Sequence, residues 1–152
     1  MGETTKTRTA IEKIDISYCS DFLIGHAHDK DGITGCTVII CNKTESSVSG
    51  IDVRGGLPGT RNSDAGYPMN DPQCCNAVLL SGGSYFGLNA AGGVERFLEE
   101  KHIGYEVRGI LVPCVMEAII FDLAIGDSRA RPDANMGYQA CVNAWEKVEW
   151  KD

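Results

Sequence analysis

The alternation of apolar and polar residues predicts a domain in which short strands come first and helices follow. Residues 77–80 form an apolar run without a polar break, as expected for a strand that is covered on both faces. Residues 33–41 are rich in β-branched side chains, which favour strands. The other predicted strands are residues 22–26, residues 105–112, and residues 48–54 as the hairpin partner of residues 33–41.

Three later segments carry the helical signal. Residues 84–101 place apolar side chains on one face, and Gly104 suits a C-terminal cap for this helix. Residues 113–124 begin with a proline where a first helical residue is expected, and residues 134–148 form the last predicted helix. This order of elements is typical of an α/β or α+β layered sandwich, which is the predicted fold class.

The segments between these elements predict a long loop and a tail. Residues 55–71 are rich in glycine, proline and asparagine, and a loop of this length is usually functional or flexible. A chain of 152 residues is expected to form a single domain over residues 1–152. Residues 1–20 are polar and are predicted as an extended tail, although Ile11, Ile14 and Ile16 also fit a first strand.

The turn after residues 77–80 is the most informative local feature. Gly82 and Gly83 allow backbone angles that other residues avoid. Ser84 follows at a position where its side chain could cap the helix. The first N–H groups of a helix lack internal partners, so we expect them to point at whatever lies above the turn.

Composition narrows the function classes. The formal net charge is −7 and no basic stripe is visible, which argues against a nucleic-acid partner. No signal peptide and no apolar run of about 20 residues is present, so we expect no membrane partner and a cytoplasmic protein. The seven cysteines include no Cys-x-x-Cys pair, so we expect reduced thiols that pack as small hydrophobes.

Ser84 has two competing interpretations. A hydrolase nucleophile elbow has the pattern Gly-x-Ser-x-Gly, but Gly83-Ser84 is followed by Tyr85 and Phe86, and His102 is the one later histidine. A helix cap or an anion contact is therefore favoured over an α/β-hydrolase that uses Ser84. The phosphate-binding glycine motifs are absent, so no nucleotide cofactor is predicted.

Other polar residues leave alternatives open. His26 and His28 share one face of a strand and could hold a metal with Asp29, but no third ligand motif exists, and we predict no metal. Arg61 and Arg131 flank loops and could bind substrate or could be surface charge. Tyr85 and Phe86 fit either the core or the wall of an active site.

Short motifs along the chain follow the order found in a known family. They span residues 22–145, and among them are Gly25-His26, Thr34-Gly35-Cys36-Thr37-Val38, Arg54-Gly55-Gly56, Pro58-Gly59-Thr60-Arg61, Ser81-Gly82-Gly83-Ser84, Phe86-Gly87-Leu88, Phe121-Asp122-Leu123, Gly126-Asp127 and Arg131-Pro132-Asp133. The chain resembles the DmpA-type aminopeptidases, the L-aminopeptidase/D-Ala-esterase/amidase group of peptidase family S58.

The resemblance implies a four-layer α-β-β-α sandwich similar to that of the N-terminal nucleophile hydrolases. Family members cleave themselves into two chains, and the new N-terminal Ser or Thr of the second chain is the nucleophile, with its own α-amine as base. An Asn late in the first chain helps to bind the oxyanion. The implied substrates are small peptides, amides or esters with a free amino end.

The resemblance also implies which parts the present sequence contains. We expect the N-terminal fragment of a self-cleaving enzyme that is inactive alone, because the nucleophile would lie beyond Asp152. No catalytic residue is then predicted in this chain. The expected partners are the missing nucleophile chain, further copies of the protein in a homo-oligomer, and a small-molecule or peptide substrate.

The resemblance places the pocket wall and leaves one rival function. The predicted wall is Gly82, Gly83, Ser84, Tyr85 and Phe86, in which Phe86 stands where the family has an active-site Tyr. The rival is a non-catalytic binding or assembly module with the same fold. The side chain and the stereochemistry of the substrate are not specified by the sequence.

Overall fold

The computed structural model describes residues 19–41, 47–70 and 74–146. Two 3₁₀ helices and the following strands and α-helices make up this part of the chain, in the order β1 (Phe22–Asp29), β2 (Thr34–Cys41), β3 (Thr60–Arg61), 3₁₀ (Ser63–Gly66), β4 (Ala77–Ser81), 3₁₀ (Ser84–Ala90), α1 (Ala91–Glu100), β5 (Tyr105–Val107), β6 (Ile110–Val112), β7 (Val115–Ile119) and α2 (Ala134–Trp145). Ile11, Ile14 and Ile16, for which a first strand was the alternative to a tail, lie outside the described residues. Of the predicted tail at residues 1–20, only residues 19 and 20 are described.

Five strands form one mixed sheet in the order β1-β2-β4-β7-β3. The antiparallel hairpin β1–β2 confirms the strands predicted at residues 22–26 and 33–41, and β4 confirms the strand predicted at residues 77–80. β4 pairs antiparallel with β2 and parallel with β7, so the carboxyl ends of β4 and β7 lie at the same edge of the sheet. This edge is where the turn at residues 82–84 begins.

Both α-helices contact one face of this sheet. The core lies between these helices and the sheet. The buried strand positions alternate with exposed ones, as the period of two residues requires. Phe97 of α1 makes edge-on ring contacts with Tyr138 and Trp145 of α2, at centroid distances of 5.4 and 5.7 Å. The largest fully buried apolar side chains of this core are Ile40, Leu79, Leu98, Val38, Val94 and Val115.

The opposite face of the sheet, named the open face, is covered only in part by the described residues. Phe22, Leu80 and Ile120 are large apolar residues at or next to strands, and all three are exposed. The described residues therefore form two layers, one of helices and one of strands, which confirms a mixed α/β architecture.

Two predicted elements are wrong. Residues 113–124 are not a helix, because β7 runs from Val115 to Ile119 and pairs with β4 and β3. A short apolar run does not by itself distinguish a buried strand from a helix, and here the pairing with β4 decides for a strand. Residues 48–54 are not a strand beside β2, because β1 and β4 occupy both edges of β2.

The bounds of other predicted elements also differ from the prediction. The strand predicted at residues 105–112 is the hairpin β5–β6, in which Arg108 and Gly109 both have positive φ, as a type I′ turn requires. The helix predicted at residues 84–101 begins as a 3₁₀ helix and becomes α-helical at Ala91.

The C-terminal cap of α1 is also displaced from the predicted position. The cap residue is Lys101 rather than Gly104, and the left-handed residue after it is His102, with φ 57°. The last helix, predicted over residues 134–148, ends at Trp145, while residues 147 and 148 lie outside the described part. Its N-terminal cap is the Asp133 carboxylate, which accepts a hydrogen bond from Met136 N.

The buried cysteines fit their predicted role. Five of the seven cysteines are buried, as expected for small hydrophobic side chains. In the described ranges, no helix has the length and apolar content needed to cross a membrane.

Candidate functional site

The turn at residues 82–84 follows β4 directly and has an unusual backbone. Gly83 and Ser84 have φ angles of 79° and 54°. For Ser84 this left-handed conformation is costly and requires support from its surroundings. The cap position of the following 3₁₀ helix is Gly83, and no side chain caps it. The predicted cap role of Ser84 is therefore wrong.

The backbone N–H groups of the turn have partners inside the protein. Gly82 N donates to Gly35 O at 2.9 Å, and Ser84 N donates to Ile120 O at 3.0 Å. Gly83 N donates to the Asp122 carboxylate at 2.7 Å. The expectation that the turn offers N–H groups to a ligand is therefore wrong for residues 82–84, because these donors stabilise the turn itself.

The side chains after the turn face outward. Tyr85 and Phe86 are 57% and 52% exposed, so the core interpretation of these two residues is wrong. The Arg131 guanidinium lies over the Phe86 ring at 3.5 Å from its centroid. Arg131 Nε also donates to Ser128 O at 2.8 Å. The structure thus brings together Phe86, predicted at the start of a helix, and Arg131, predicted beside a separate loop.

A cavity of about 650 Å³ lies on the open face of the sheet, next to the turn. Its volume is within the range of small-molecule sites. Gly82 and Ser81 at the end of β4 form part of its wall, whereas residues 83–86 do not line it. The remaining lining residues come from the β1–β2 hairpin and from neighbouring strand ends, namely His26, Ala27, His28, Asp29, Lys30, Ile33, Thr34, Gly35, Cys36, Thr37, Leu80, Ala118, Ile119 and Ile120.

The two histidines of β1 lie at this cavity. His26 Nδ1 and Thr37 Oγ1 are 2.8 Å apart and form a hydrogen bond across the hairpin. Within the described ranges, no group of three or more His, Cys, Asp or Glu side chains could hold a metal ion. His26 is thus held to the neighbouring strand by a side-chain hydrogen bond at the cavity.

Arg61 takes part in a different cluster, on the helix side of the sheet. Its guanidinium donates to both carboxylate oxygens of Glu95, at 2.8 and 3.0 Å. Glu117 is paired with Arg61 across β3 and β7, is only 2% exposed, and finds no hydrogen-bond partner among the described residues for either carboxyl oxygen. Burial raises the pKa of Glu117 to about 7, the nearby Arg61 opposes this rise, and Glu95 adds to it.

The substrate-binding roles of Arg61 and Arg131 stay predictions, and the two arginines have different contacts in the structure. Arg61 forms an ion pair with Glu95 and does not line the cavity. The Arg131 guanidinium packs over the exposed ring of Phe86. Sequence reasoning missed Asp122, Thr34 and Glu117. The one signal that pointed to Asp122 was the Phe121-Asp122-Leu123 motif, which was part of the family resemblance.

Comparison with known proteins gives a consistent family. The model of peptidase family S58 matches residues 16–149. An uncharacterized aminopeptidase of Mycobacterium leprae is 43% identical over 137 residues, which is 86% of this chain and 38% of the relative. An uncharacterized aminopeptidase of Mycobacterium tuberculosis is 42% identical over 127 residues, which is 80% of this chain and 37% of the relative.

A third relative carries a more specific name. A 6-aminohexanoate-oligomer endohydrolase of Agromyces sp. is 32% identical over 117 residues, which is 77% of this chain and 30% of the relative. The chain thus spans less than two fifths of the length of these curated relatives. The match to the family model and the identities above 40% agree, and the chain belongs to peptidase family S58.

Proposed function

We propose that this chain supplies one wall of the substrate cleft of a hydrolase that cuts amide bonds in small molecules with a free amino end. The observation that carries the proposal is the cavity beside the turn at residues 82–84, in a chain of peptidase family S58. Relatives named aminopeptidase and 6-aminohexanoate-oligomer endohydrolase support the same class of reaction. A cytoplasmic location is part of this proposal.

Ser84 is a poor nucleophile in this geometry. The turn contact of Ser84 is made by its backbone N, which donates to Ile120 O, and this contact brings no base to the hydroxyl. His102, the one histidine that follows Ser84, comes after α1, and no described contact joins it to the turn. We propose that the nucleophile is the N-terminal Ser or Thr of a second chain made by self-cleavage, as the family resemblance implies.

The open sheet face supports a larger assembly. Leu80 is 48% exposed at the centre of this face, and Ile120 is exposed just after the neighbouring strand β7. Exposed apolar residues that lie together commonly mark a surface that another element covers. We propose that a second sheet covers this face and completes the four-layer α-β-β-α sandwich. Oligomerisation of the complete protein is part of the same proposal.

A non-catalytic binding or assembly module is the second candidate function. The family resemblance supports it, since this resemblance places Phe86 at the position of an active-site Tyr, and Phe86 has no hydroxyl to donate. The three N–H groups at residues 82–84 also support this candidate, because they donate to acceptors inside the protein and not to a ligand.

Hydrolysis assays on the Ser84→Ala variant test the proposed division of labour. We expect the product of the complete gene to hydrolyse an amino-acid p-nitroanilide or a β-alanyl amide. We expect Ser84→Ala to change kcat/KM by less than about threefold, because loss of a true nucleophile costs on the order of a thousandfold or more. The 152-residue chain by itself is expected to release no p-nitroaniline.

The outcomes separate the candidate functions. A collapse of kcat/KM in a folded Ser84→Ala protein would make Ser84 the nucleophile. Absence of hydrolysis by the complete gene product on both substrates would favour the non-catalytic module.

A further inference from the structure

Asp122 connects three segments that meet at the candidate cavity. It lies in the segment after β7, and its two carboxylate oxygens accept hydrogen bonds from different partners. Oδ1 accepts the N–H of Gly83 at 2.7 Å, and Oδ2 accepts the hydroxyl of Thr34 at 2.7 Å. These partners are 39 and 88 residues away in the sequence, so the contacts exist only in the folded chain.

The turn leaves no room for a side chain at residue 82. A Cβ on Gly82 would overlap Asp122 Oδ2 and would lie 2.6 Å from Thr34 Oγ1. Residue 82 is therefore a glycine because the carboxylate and the hydroxyl occupy the space of its side chain. Gly82 and Thr34 both line the cavity, so Asp122 hydrogen-bonds to one residue of the cavity wall and lies against another.

The backbone conformation of the turn also depends on this contact. Gly83 and the non-glycine Ser84 both have positive φ, a conformation that persists only where the surroundings hold it. The hydrogen bond from Gly83 N to the Asp122 carboxylate spans 2.7 Å, which is at the short end of the range for N–H donors and oxygen acceptors. The second support is the hydrogen bond from Ser84 N to Ile120 O, two residues before Asp122.

The neighbouring Asp127 shows how an ordinary loop carboxylate behaves. Asp127 Oδ1 accepts from the backbone N and side-chain Nε of Arg129, two residues further on. This pair is exposed and stabilises only its own loop. Asp122, in contrast, joins β2, the turn after β4 and the segment after β7.

We propose that Asp122 is a positioning residue that holds the turn at residues 82–84 against Thr34 and so fixes the wall of the substrate cavity. Its importance for catalysis rests on the proposed function, whereas the contact itself is independent of any activity. Asp122 touches no reacting atom in this account. It acts through Gly83 and Thr34.

Amide NMR on the 152-residue chain tests the contact directly. In Asp122→Asn and Asp122→Ala we expect the Gly83 amide proton to move upfield and its hydrogen exchange to become at least about tenfold faster. Thr34→Val, which removes only the hydroxyl, should produce a smaller change of the same sign. Asp127→Asn is the matched control and should leave the Gly83 signal unchanged.

The result that would overturn the proposal is an unchanged Gly83 shift and exchange rate in a folded Asp122 variant. If Asp122→Ala fails to fold, Asp122→Asn and Thr34→Val decide, because both preserve side-chain volume. An equal Gly83 change in Asp127→Asn would also overturn it, since the effect would then be a general loss of loop charge.

Kinetics of the complete gene product give a second, separate readout. We expect Asp122→Asn to raise KM for an amino-acid p-nitroanilide by about tenfold with little change in kcat, because the wall shapes binding and not the chemical step. A wild-type protein without hydrolysis would contradict the proposed function, and the Gly83 amide would still decide on the contact. A fall in kcat with unchanged KM would contradict the positioning role.

Discussion

Replacing Glu117 by Gln is expected to make the protein more stable at pH 8 and to leave its stability at pH 5 nearly unchanged. Burial raises the pKa of Glu117 from 4.5 to about 7. Between these values the folded protein keeps a proton that the unfolded chain has lost, so stability decreases as the pH rises. The decrease is complete above about pH 7 and corresponds to about 3 kcal/mol.

The Gln variant removes this loss because its side chain stays neutral and has nearly the same shape. Urea denaturation of both proteins at pH 5, 6, 7 and 8 measures the effect. Histidines titrate in the same range, so the quantity of interest is the difference between the two curves rather than either curve alone. We expect this difference to grow with pH to about 3 kcal/mol.

Glu99→Gln is the matched control for this experiment. Glu99 is an exposed carboxylate on α1, close in sequence to Glu95 of the Arg61 cluster. Its removal changes the net charge equally but leaves Glu117 buried, so its curve should run parallel to that of the wild type. Parallel curves for Glu117→Gln and the wild type between pH 5 and 8 would show that Glu117 is ionised in the folded protein throughout this range.

Adding one methyl group at two adjacent glycines of α1 is expected to have opposite effects. Gly93 lies where α1 and α2 approach closely, and a Cβ there would overlap Ala134 O and lie 2.7 Å from Tyr138 N. These are backbone atoms that cannot rotate away, so the helices must separate. We expect Gly93→Ala to cost about 2 kcal/mol or more, after the gain in helix propensity is included.

Gly92→Ala is the matched control in the same helix. No atom lies within 4 Å of a Cβ built on Gly92, so the substitution should stabilise the protein by about 0.5–1 kcal/mol. Thermal and urea denaturation of the two variants should therefore place them on opposite sides of the wild type. Equal stability of the two variants would mean that α1 and α2 are not in close contact at Gly93.

The sequence predicted the local elements well where a single pattern decided them. The β1–β2 hairpin, β4 and α2 each have a clear periodicity or β-branched content, and each was found near its predicted position. β7 was missed because its run of five residues fits a helix as well as a strand. Its pairing with β4 and β3 is a tertiary choice that the local pattern does not contain.

At the candidate site, too, the local pattern was predictable and the tertiary contacts were not. The turn at residues 82–84 was predicted from its glycines, but the partners of its N–H groups were not. Gly35 O, Ile120 O and the Asp122 carboxylate all come from distant parts of the chain. The sequence also gave no sign that Glu117 would be buried beside the Arg61–Glu95 ion pair, because only the register of β3 and β7 places them together.

Intact-mass analysis of the complete gene product shows whether the nucleophile belongs to a second chain. We expect two chains, the second of which begins with Ser or Thr, and we expect the same cleavage in the Ser84→Ala variant. The first chain should contain the turn at residues 82–84 and Asp122. A single uncleaved chain whose hydrolytic activity disappears in folded Ser84→Ala protein would contradict the account, because Ser84 would then be the nucleophile and not a part of the turn.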